Sequence, residues 1–502
     1  MSHDQASAPR DYGGWRLRRG IGLFGLGATG TLAVLGALLI LIIAAAASSA
    51  ALLYAAPPVL TCGGLGLARI GGEPLALAAV RRLRWRYAET RGYTRYRVGA
   101  VAQHSPDYQL PGVLASLELL DCEDGYGGRY GIVLDKRSGL MTPTLRVVPA
   151  STWLANREDA DGWVANWGGW LASLGYLPMC RWVTVTIDTA PEPGTALADM
   201  VAAALDPAAP LAARQIMAQL VQAAPAAAAD VDTRVSITFD PKLSPAAPAD
   251  LTAAAAEVGR TLHGLESALS TCGVTVLGRA TATEIAGVVR TACDPASRGD
   301  INRILAQAAS GQPGADLTWA EAGPVGAEES PDRYRHDSGL SVTWAWKEAP
   351  RQTVTADVLA RLVAPAAHPK RVSLQYRPFA AAEATRVLEN EVNAAQFRAI
   401  YKRRTGRDET ARDAYDQARA RQAAAEEAAG AGVCLVSLYV TVTVAGEAEL
   451  PRAVAETEAA AESSKIRLRR MTYAQAAGWA ATLPCGICPP ELARRRPTRT
   501  RR

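Results

Sequence analysis

Val274-Thr-Val-Leu-Gly-Arg-Ala-Thr-Ala-Thr-Glu-Ile-Ala-Gly287 can be laid beside Ile466-Arg-Leu-Arg-Arg-Met-Thr-Tyr-Ala-Gln-Ala-Ala-Gly478. Each reads as a short strand, a threonine cap and a helix containing Ala-Gly, the pattern an internal duplication leaves. Chance similarity in an alanine-rich chain is the competing reading. Outward from the first stretch, runs rich in Val, Ile and Thr read as strands and runs rich in Ala, Leu and Glu as helices. Strands are expected at Arg181–Thr189 and Thr233–Phe239. Helices are expected within Thr195–Ala227, at Pro248–Ser270 and at Thr281–Thr291, and Trp153, Trp163, Trp167 and Trp170 recur at near-helical spacing as a core or interface stripe. A hairpin at 128–148 turns through Lys136-Arg-Ser-Gly139. Residues 128–293 thus form a first half. Residues 294–340 lose periodicity and gain Gly, Pro and Asp, which reads as a linker with one helical piece at Ile301–Ala308. The second half, 341–484, repeats the alternation, with a long helical stretch at Ala380–Ala429 and an expected strand at Val433–Val444. The fold class is therefore α/β (α+β), two duplicated αβ halves behind a two-helix transmembrane hairpin.

The hairpin is read from Ile21 to Ala68, a stretch of 48 residues without a charge. One spanning helix needs about 20 apolar residues, so two spans fit, about Gly20 to Ile42 and Ala46 to Ala68, the second made irregular by Pro57, Pro58, Gly63 and Gly64. The apolar region of a signal peptide is only about 7–15 residues long. A buried hydrophobic hairpin of a soluble protein is the other alternative. Arg10, Arg16, Arg18 and Arg19 precede the stretch, and Arg69, Arg81, Arg82, Arg84 and Arg86 follow it. With both flanks basic, residues 1–19 and everything after residue 69 are expected on the cytoplasmic face of the plasma membrane, on either side of a hairpin at 20–68.

Residues 69–127 read as a juxtamembrane basic-aromatic linker. Within it Arg82, Arg84, Trp85, Arg86 and Tyr87 are candidates for the membrane interface, where arginine meets anionic lipid and aromatic rings sit at headgroup level. Interleaved Arg, Trp and Tyr also suit single-stranded nucleic acid. Residues 485–502 read as a disordered basic tail carrying Arg494, Arg495, Arg496, Arg499, Arg501 and Arg502. That tail offers charge to DNA, anionic lipid or an acidic partner, against the plain reading of a solvated end.

The net charge of +5 over 502 residues is small, with much of the excess at the two ends, and gives nucleic-acid binding little support. The eight cysteines are scattered, which suits reduced thiols rather than a disulfide framework. A phosphate-binding loop needs Gly followed by Lys, and no Gly-Lys pair occurs. The histidines at 3, 104, 263, 336 and 368 have no metal-ligand spacing, and no Gly-x-Ser-x-Gly elbow is present. His336-Asp337-Ser338 reads as the polar start of a strand, since adjacent strand residues point to opposite faces. Cys485-Gly-Ile-Cys488 has redox or half-zinc spacing but no second pair, and reads as coincidental loop thiols. No catalytic, cofactor-binding or metal-binding residue is nominated, and a non-enzyme is expected.

Arg-Leu-Arg-Trp-Arg at 82–86, Gly-Arg-Tyr-Gly at 128–131, Ser-Thr-Trp-Leu-Ala at 151–155, Asp-Thr-Arg-Val-Ser at 232–236, His-Asp-Ser-Gly at 336–339, Trp-Ala-Trp at 344–346 and Arg-Arg-Thr-Gly-Arg-Asp-Glu-Thr at 403–410, together with the apolar N-terminal segment, resemble a group of actinobacterial integral membrane proteins. That group is associated with conjugation-like or type VII secretion gene clusters and is called EccE-like. The resemblance covers nearly the whole chain except the basic tail. Ala476-Ala-Gly-Trp-Ala-Ala-Thr-Leu-Pro484 also resembles the end of the non-ATPase N-terminal domain of conjugative type IV secretion ATPases, although the cysteine pair departs from the Leu-Pro-Leu-Gly expected there. The resemblance implies a membrane-anchored scaffold with a separate motor ATPase, other secretion or conjugation subunits, membrane lipid and copies of itself as partners. A membrane-tethered adaptor for DNA or anionic lipid is the alternative. No cofactor and no active-site residue is implied.

Overall fold

The computed structural model describes residues 12–13, 15, 27–70, 73–98, 110–150, 155–191, 201–223, 229–380, 383–393, 418, 421–426 and 432–494, except 126, 203, 207, 313, 349, 351 and 391. The chain divides into a small unit, residues 15–95, and a large one, residues 1–14 with 96–502.

In the small unit, α1 (Gly27–Ala47) and α2 (Ser49–Leu67) pack together. The turn between them is one residue, Ser48, whose Oγ caps α2 by accepting the Ala51 N–H at 3.1 Å. Gly66 permits the close approach: a Cβ there would lie 2.9 Å from both the Gly30 carbonyl oxygen and Val34 Cγ2. The α2 helix runs through Pro57 and Pro58. Among the described residues, one helical segment, Gly30–Ala47 with mean hydropathy 2.6, is long and apolar enough to cross a membrane. After α2, Arg69–Ile70 pairs with Glu73–Pro74 and α3 (Leu75–Thr90) begins. The stretch expected as a linker from residue 69 therefore opens with a four-turn helix, because Leu75-Ala-Leu-Ala-Ala-Val80 and the arginines after it are good helix formers.

The large unit is built on a 13-stranded sheet. Its strands and helices in chain order begin with β1 (Arg95–Arg97), β2 (Leu117–Glu123), β3 (Arg129–Asp135), β4 (Leu140–Pro149), α4 (Arg157–Leu174), β5 (Cys180–Pro191), α5 (Leu211–Ala223), β6 (Ala229–Phe239), α6 (Leu251–Leu269), β7 (Val274–Arg279), α7 (Ala282–Cys293) and α8 (Arg298–Ala309). They continue with α9 (Trp319–Ala322), β8 (Gly326–Glu329), β9 (Tyr334–His336), β10 (Gly339–Glu348), α10 (Ala360–Val363), β11 (Lys370–Pro378), β12 (Cys434–Val444), α11 (Leu450–Ser463), β13 (Arg467–Arg470), α12 (Gln475–Ala480) and α13 (Pro489–Arg494). The order across the sheet is β1-β8-β9-β10-β12-β11-β5-β6-β4-β3-β2, with β13 also on β10 and β7 also on β4.

Apart from β1, which has no counterpart, the order is the same read inward from either side, and the registers agree residue by residue. Thr144 faces Ser236, which faces Thr184; Thr343 faces Thr441, which faces Arg371. Where the halves meet, Thr184 pairs with Gln375, Thr186 with Ser373 and Asp188 with Arg371. Exchanging the halves maps Thr184 onto Arg371 and Gln375 onto Asp188, and maps the Thr186–Ser373 pair onto itself. An approximate twofold axis thus passes through that pair. The two stretches laid side by side above occupy matching places: the Ala280 N–H donates to the Thr144 carbonyl at 2.8 Å and the Met471 N–H to the Thr343 carbonyl at 3.0 Å. The first stretch is longer by one residue because β7 bulges, Gly278 pairing with Arg146 and Val276 with Val147 while Leu277 is left over.

One face of the sheet is apolar and helix-covered. Val183, Val235, Ile237, Phe239, Met141 and Leu145 pack with the α6 stripe Val258, Leu262, Leu265 and Leu269 and with Trp170 and Leu174 of α4. In the second half Val342, Trp344, Val442 and Val444 pack with Ala453 and Val454 of α11. Of the tryptophan stripe, Trp170 is in the core and the half-buried Trp167 stacks on it at 5.0 Å, whereas Trp163 is outside the core cluster and Trp153 lies outside the described residues.

Several boundaries move. β2 starts the first half at residue 117, earlier than 128. The 294–340 segment is no linker, since α8, α9, β8 and β9 occupy it and β8 and β9 continue the sheet. Gly-Ala-Glu-Glu at 326–329 has no strand propensity, and its pairing with β9 imposes the conformation. Residues 485–494 belong to the folded body, with Cys485, Ile487 and Cys488 buried, and the expected tail shrinks accordingly. Most of the helical stretch expected at 380–429 lies outside the described residues.

Candidate functional site

On α3 the five residues nominated from sequence separate. Arg82, Arg84, Arg86 and Tyr87 are exposed, whereas Trp85 is 9% exposed and turned inward. α3 packs against both α1 and α2. Around the helix, Leu83 and Tyr87 lie on the side opposite Trp85 with Val80 beside them, and all three are exposed. Arg91 covers the Tyr87 ring at 5.4 Å. The charged and aromatic residues are conspicuous in the sequence and Val80 and Leu83 are not; their places seven and four residues before Tyr87, on one helix face, were the available signal.

The second polar region is the other face of the sheet. Strand alternation sends Thr142, Thr144, Thr184, Thr186, Ser236, Thr238, Ser341, Thr343, Ser373, Thr441 and Thr443 to one side, and every one is buried. They satisfy one another across strands: Thr142 with Thr238 at 3.0 Å, Thr144 with Ser236 at 2.8 Å, Thr186 with Ser373 at 2.8 Å, Ser341 with Thr443 at 2.8 Å and Thr343 with Thr441 at 2.9 Å. The segment Ala481–Glu491 crosses this face as a strap. Gln375 Nε2 donates to the Ile487 carbonyl at 2.7 Å, Thr482 Oγ1 accepts from Arg371 Nε at 3.1 Å, and Arg377 pairs with Glu491. Gly486 has φ +64°, and a Cβ there would collide with the Thr142 hydroxyl.

At one end of this face the hydroxyls give way to charge. Asp188 Oδ2 accepts from Arg234 Nη2 at 3.3 Å, Arg298 Nη2 lies 3.5 Å from Asp188 Oδ1, Arg234 Nε donates to Asp232 at 2.8 Å and Arg298 Nη1 to Asp230 at 2.9 Å. Burial alone would raise the Asp188 pKa, but Arg234, Arg298 and Arg371 together hold it below the ordinary value. Burial pulls Arg371 down to about 10, opposed by Asp188. The twofold mates of Asp188, Arg371 and Arg234 are Gln375, Thr184 and Tyr439, so the charges, drawn from both halves, sit at one end of the face and have no counterpart at the other. A cleft of about 350 Å³ opens beside Arg298, between Pro191, Pro295 and Pro369. The sequence hid this cluster, because its members come from β5, β6, β11 and α8.

His336 is fully buried, with Nδ1 2.6 Å from the Cys293 carbonyl and Nε2 2.7 Å from Ser341 Oγ. A carbonyl can only accept, so Nδ1 carries the proton and Ser341 donates to Nε2. Asp337 and Ser338 form the tight turn between β9 and β10; Asp337 binds Arg290 at 3.1 Å and Ser338 binds Asp294. The expected polar strand start is instead the end of β9 and the turn after it; the three side chains diverge, and they fasten the end of α7 to the hairpin. Burial pushes the Cys485 thiol up to about 12. Both cysteines of the Cys485–Cys488 pair belong to the strap and are buried rather than set in an open loop. Arg494 ends α13, and Arg495, Arg496, Arg499, Arg501 and Arg502 lie outside the described residues. Among the described residues, no group of three or more His, Cys, Asp or Glu side chains is placed to hold a metal ion.

The fold is thus a twofold-related mixed α and β body on a large antiparallel sheet, with a separate unit of apolar helices. Compared with known proteins, the chain matches no family model and no curated protein.

Proposed function

We propose that this protein is a membrane-anchored structural component of a secretion or conjugation apparatus of type VII or type IV-like kind, docking on a separate motor ATPase. The observation that carries the reading is the uncharged 48-residue stretch bounded on both sides by arginines, which favours two spans with both flanks on the cytoplasmic side of the plasma membrane. The absence of a Gly-Lys phosphate loop from the sequence supports a separate motor. The matched registers of the two halves support a gene duplication, which yields a rigid body with two similar ends for docking. A non-enzymatic role and self-association belong to the same proposal.

Purification of the full-length protein from its native membrane in mild detergent, with identification of what accompanies it, tests the reading. Recovery of a motor ATPase with further membrane subunits is the expected result. Recovery of the protein alone, with no ATPase and no oligomer, contradicts it.

A further inference from the structure

We propose that the exposed face of α3 is a binding surface for anionic phospholipid, with Val80, Leu83 and Tyr87 entering the headgroup–acyl boundary and Arg84, Arg86 and Arg91 engaging lipid phosphates. The inference rests on the membrane-anchored reading and goes beyond it by assigning a lipid class and the residues that meet it.

Three observations carry it. First, Leu83 is 68% exposed, Tyr87 58% and Val80 45%, an aliphatic-aromatic stripe at spacing three and four that no described residue covers. Secondly, arginines flank the stripe on both sides, Arg86 on one and Arg84 and Arg91 on the other, and all three are exposed. An apolar stripe edged by arginine is the pattern of a helix lying in a lipid interface. Thirdly, the stripe belongs to the same unit as an apolar surface built for lipid: Leu38, Leu39, Ile42 and Ile43 of α1 are each at least half exposed, as are Leu53 and Leu60 of α2. α3 packs on α1 and α2 and buries Trp85 on the side opposite the stripe, which leaves its outer face for the bilayer.

Single-stranded nucleic acid is the rival occupant, and the shape argues against it. Such ligands use a basic groove with aromatic stacking platforms. α3 offers a convex helix surface whose most exposed large residue is leucine, which gains nothing from a phosphate backbone.

The experiment uses the full-length protein in lipid nanodiscs, with a polarity-sensitive dye on Leu83→Cys, a second on Glu89→Cys toward the inner side, and the unsubstituted protein as labelling background. Discs of phosphatidylcholine alone are compared with discs containing phosphatidylglycerol. In the anionic discs the dye at 83 is expected to move into an apolar surrounding, to be quenched by brominated acyl chains and to be shielded from aqueous iodide, while the dye at 89 changes little. Each arginine near an anionic surface is worth roughly fivefold in partitioning, so Arg84→Glu with Arg86→Glu should return the dye at 83 to water. Equal iodide quenching at 83 in both disc types overturns the proposal, as does shielding by a single-stranded oligonucleotide but not by phosphatidylglycerol. Release of the full-length protein from native membranes by alkaline carbonate overturns the spanning reading itself. Retention with a water-exposed position 83 overturns only the lipid surface.

Discussion

At the scale of single residues, buried polar groups decide the chemistry of this fold. His336 stays neutral because burial pulls its pKa down to about 4, outweighing its hydrogen bond to Cys293. A group whose folded pKa lies below its unfolded value stabilises the protein above the latter, and that contribution is lost as pH falls from about 6.5 through about 4, at most about 3 kcal/mol. Thermal unfolding in mild detergent should therefore shift downward across that window, and His336→Gln should flatten the shift while lowering stability at neutral pH. A wild-type profile that is level across the window contradicts the assignment. Asp188 is the keystone of a three-arginine cluster, and Asp188→Ala strands buried guanidinium charge. The expected loss is about 3–5 kcal/mol, read as a lowered unfolding midpoint, with Asp230→Ala, at a more exposed carboxylate, costing clearly less. Asp188 could not be nominated from sequence, because an aspartate in a strand-forming run looks like a solvent-facing residue until Arg234, Arg298 and Arg371 are folded around it.

At the scale of elements, local sequence explains most of the helices and the central strands, and fails where pairing or packing overrules propensity. Thr281 was legible as a cap: its Oγ1 accepts the Glu284 N–H at 3.2 Å and Glu284 accepts the Thr281 N–H at 2.8 Å. Thr281→Ala is expected to cost about 1 kcal/mol, measurable as a small midpoint shift, and a neutral result would remove the cap from the account of α7. Thr472, aligned with it, is not a cap. Tyr473 takes φ +64° and α12 starts after Ala474, while Glu329 of β8 reaches the Ala476 N–H at 2.9 Å. Burial raises the Glu329 pKa, opposed by its hydrogen bonds to that helix start. The long-range cap replaces the local one because β8 already lies beside α12, a proximity that no spacing rule reveals. β2 was missed for a related reason: Leu117-Glu-Leu-Leu-Asp-Cys-Glu123 lacks β-branched residues and becomes a strand by pairing along the whole of β3.

At the scale of the whole molecule, the strap closes the part of the polar face left between α7 and α12, which pack on it through Ile285, Val289 and Trp479. A chain ending after Leu483 removes the Ile487 carbonyl from Gln375 and Glu491 from Arg377, and takes Gly486 off Thr142 and Thr238. That truncation is expected to abolish cooperative unfolding or to lower the midpoint severely; a native-like transition would show the strap to be dispensable. Cys485 and Cys488 supply a companion readout. In the intact protein they should resist aqueous thiol reagents, since burial holds the Cys485 thiol near 12 and reactivity follows the thiolate.

The sequence by itself determined the alternation of strands and helices, the likeness of the two halves, the apolar N-terminal stretch and the arginines around it. These are properties of neighbours along the chain, where periodicity and composition act directly. Tertiary structure alone decided which strands pair, that an approximate twofold axis runs through Thr186 and Ser373, and that the presumed linker supplies two strands. It also decided that Trp85 faces inward while Leu83 faces outward, and that three arginines converge on Asp188. Each of these depends on the desolvation and pairing of groups far apart in sequence, and such free energies arise only when the chain has closed on itself.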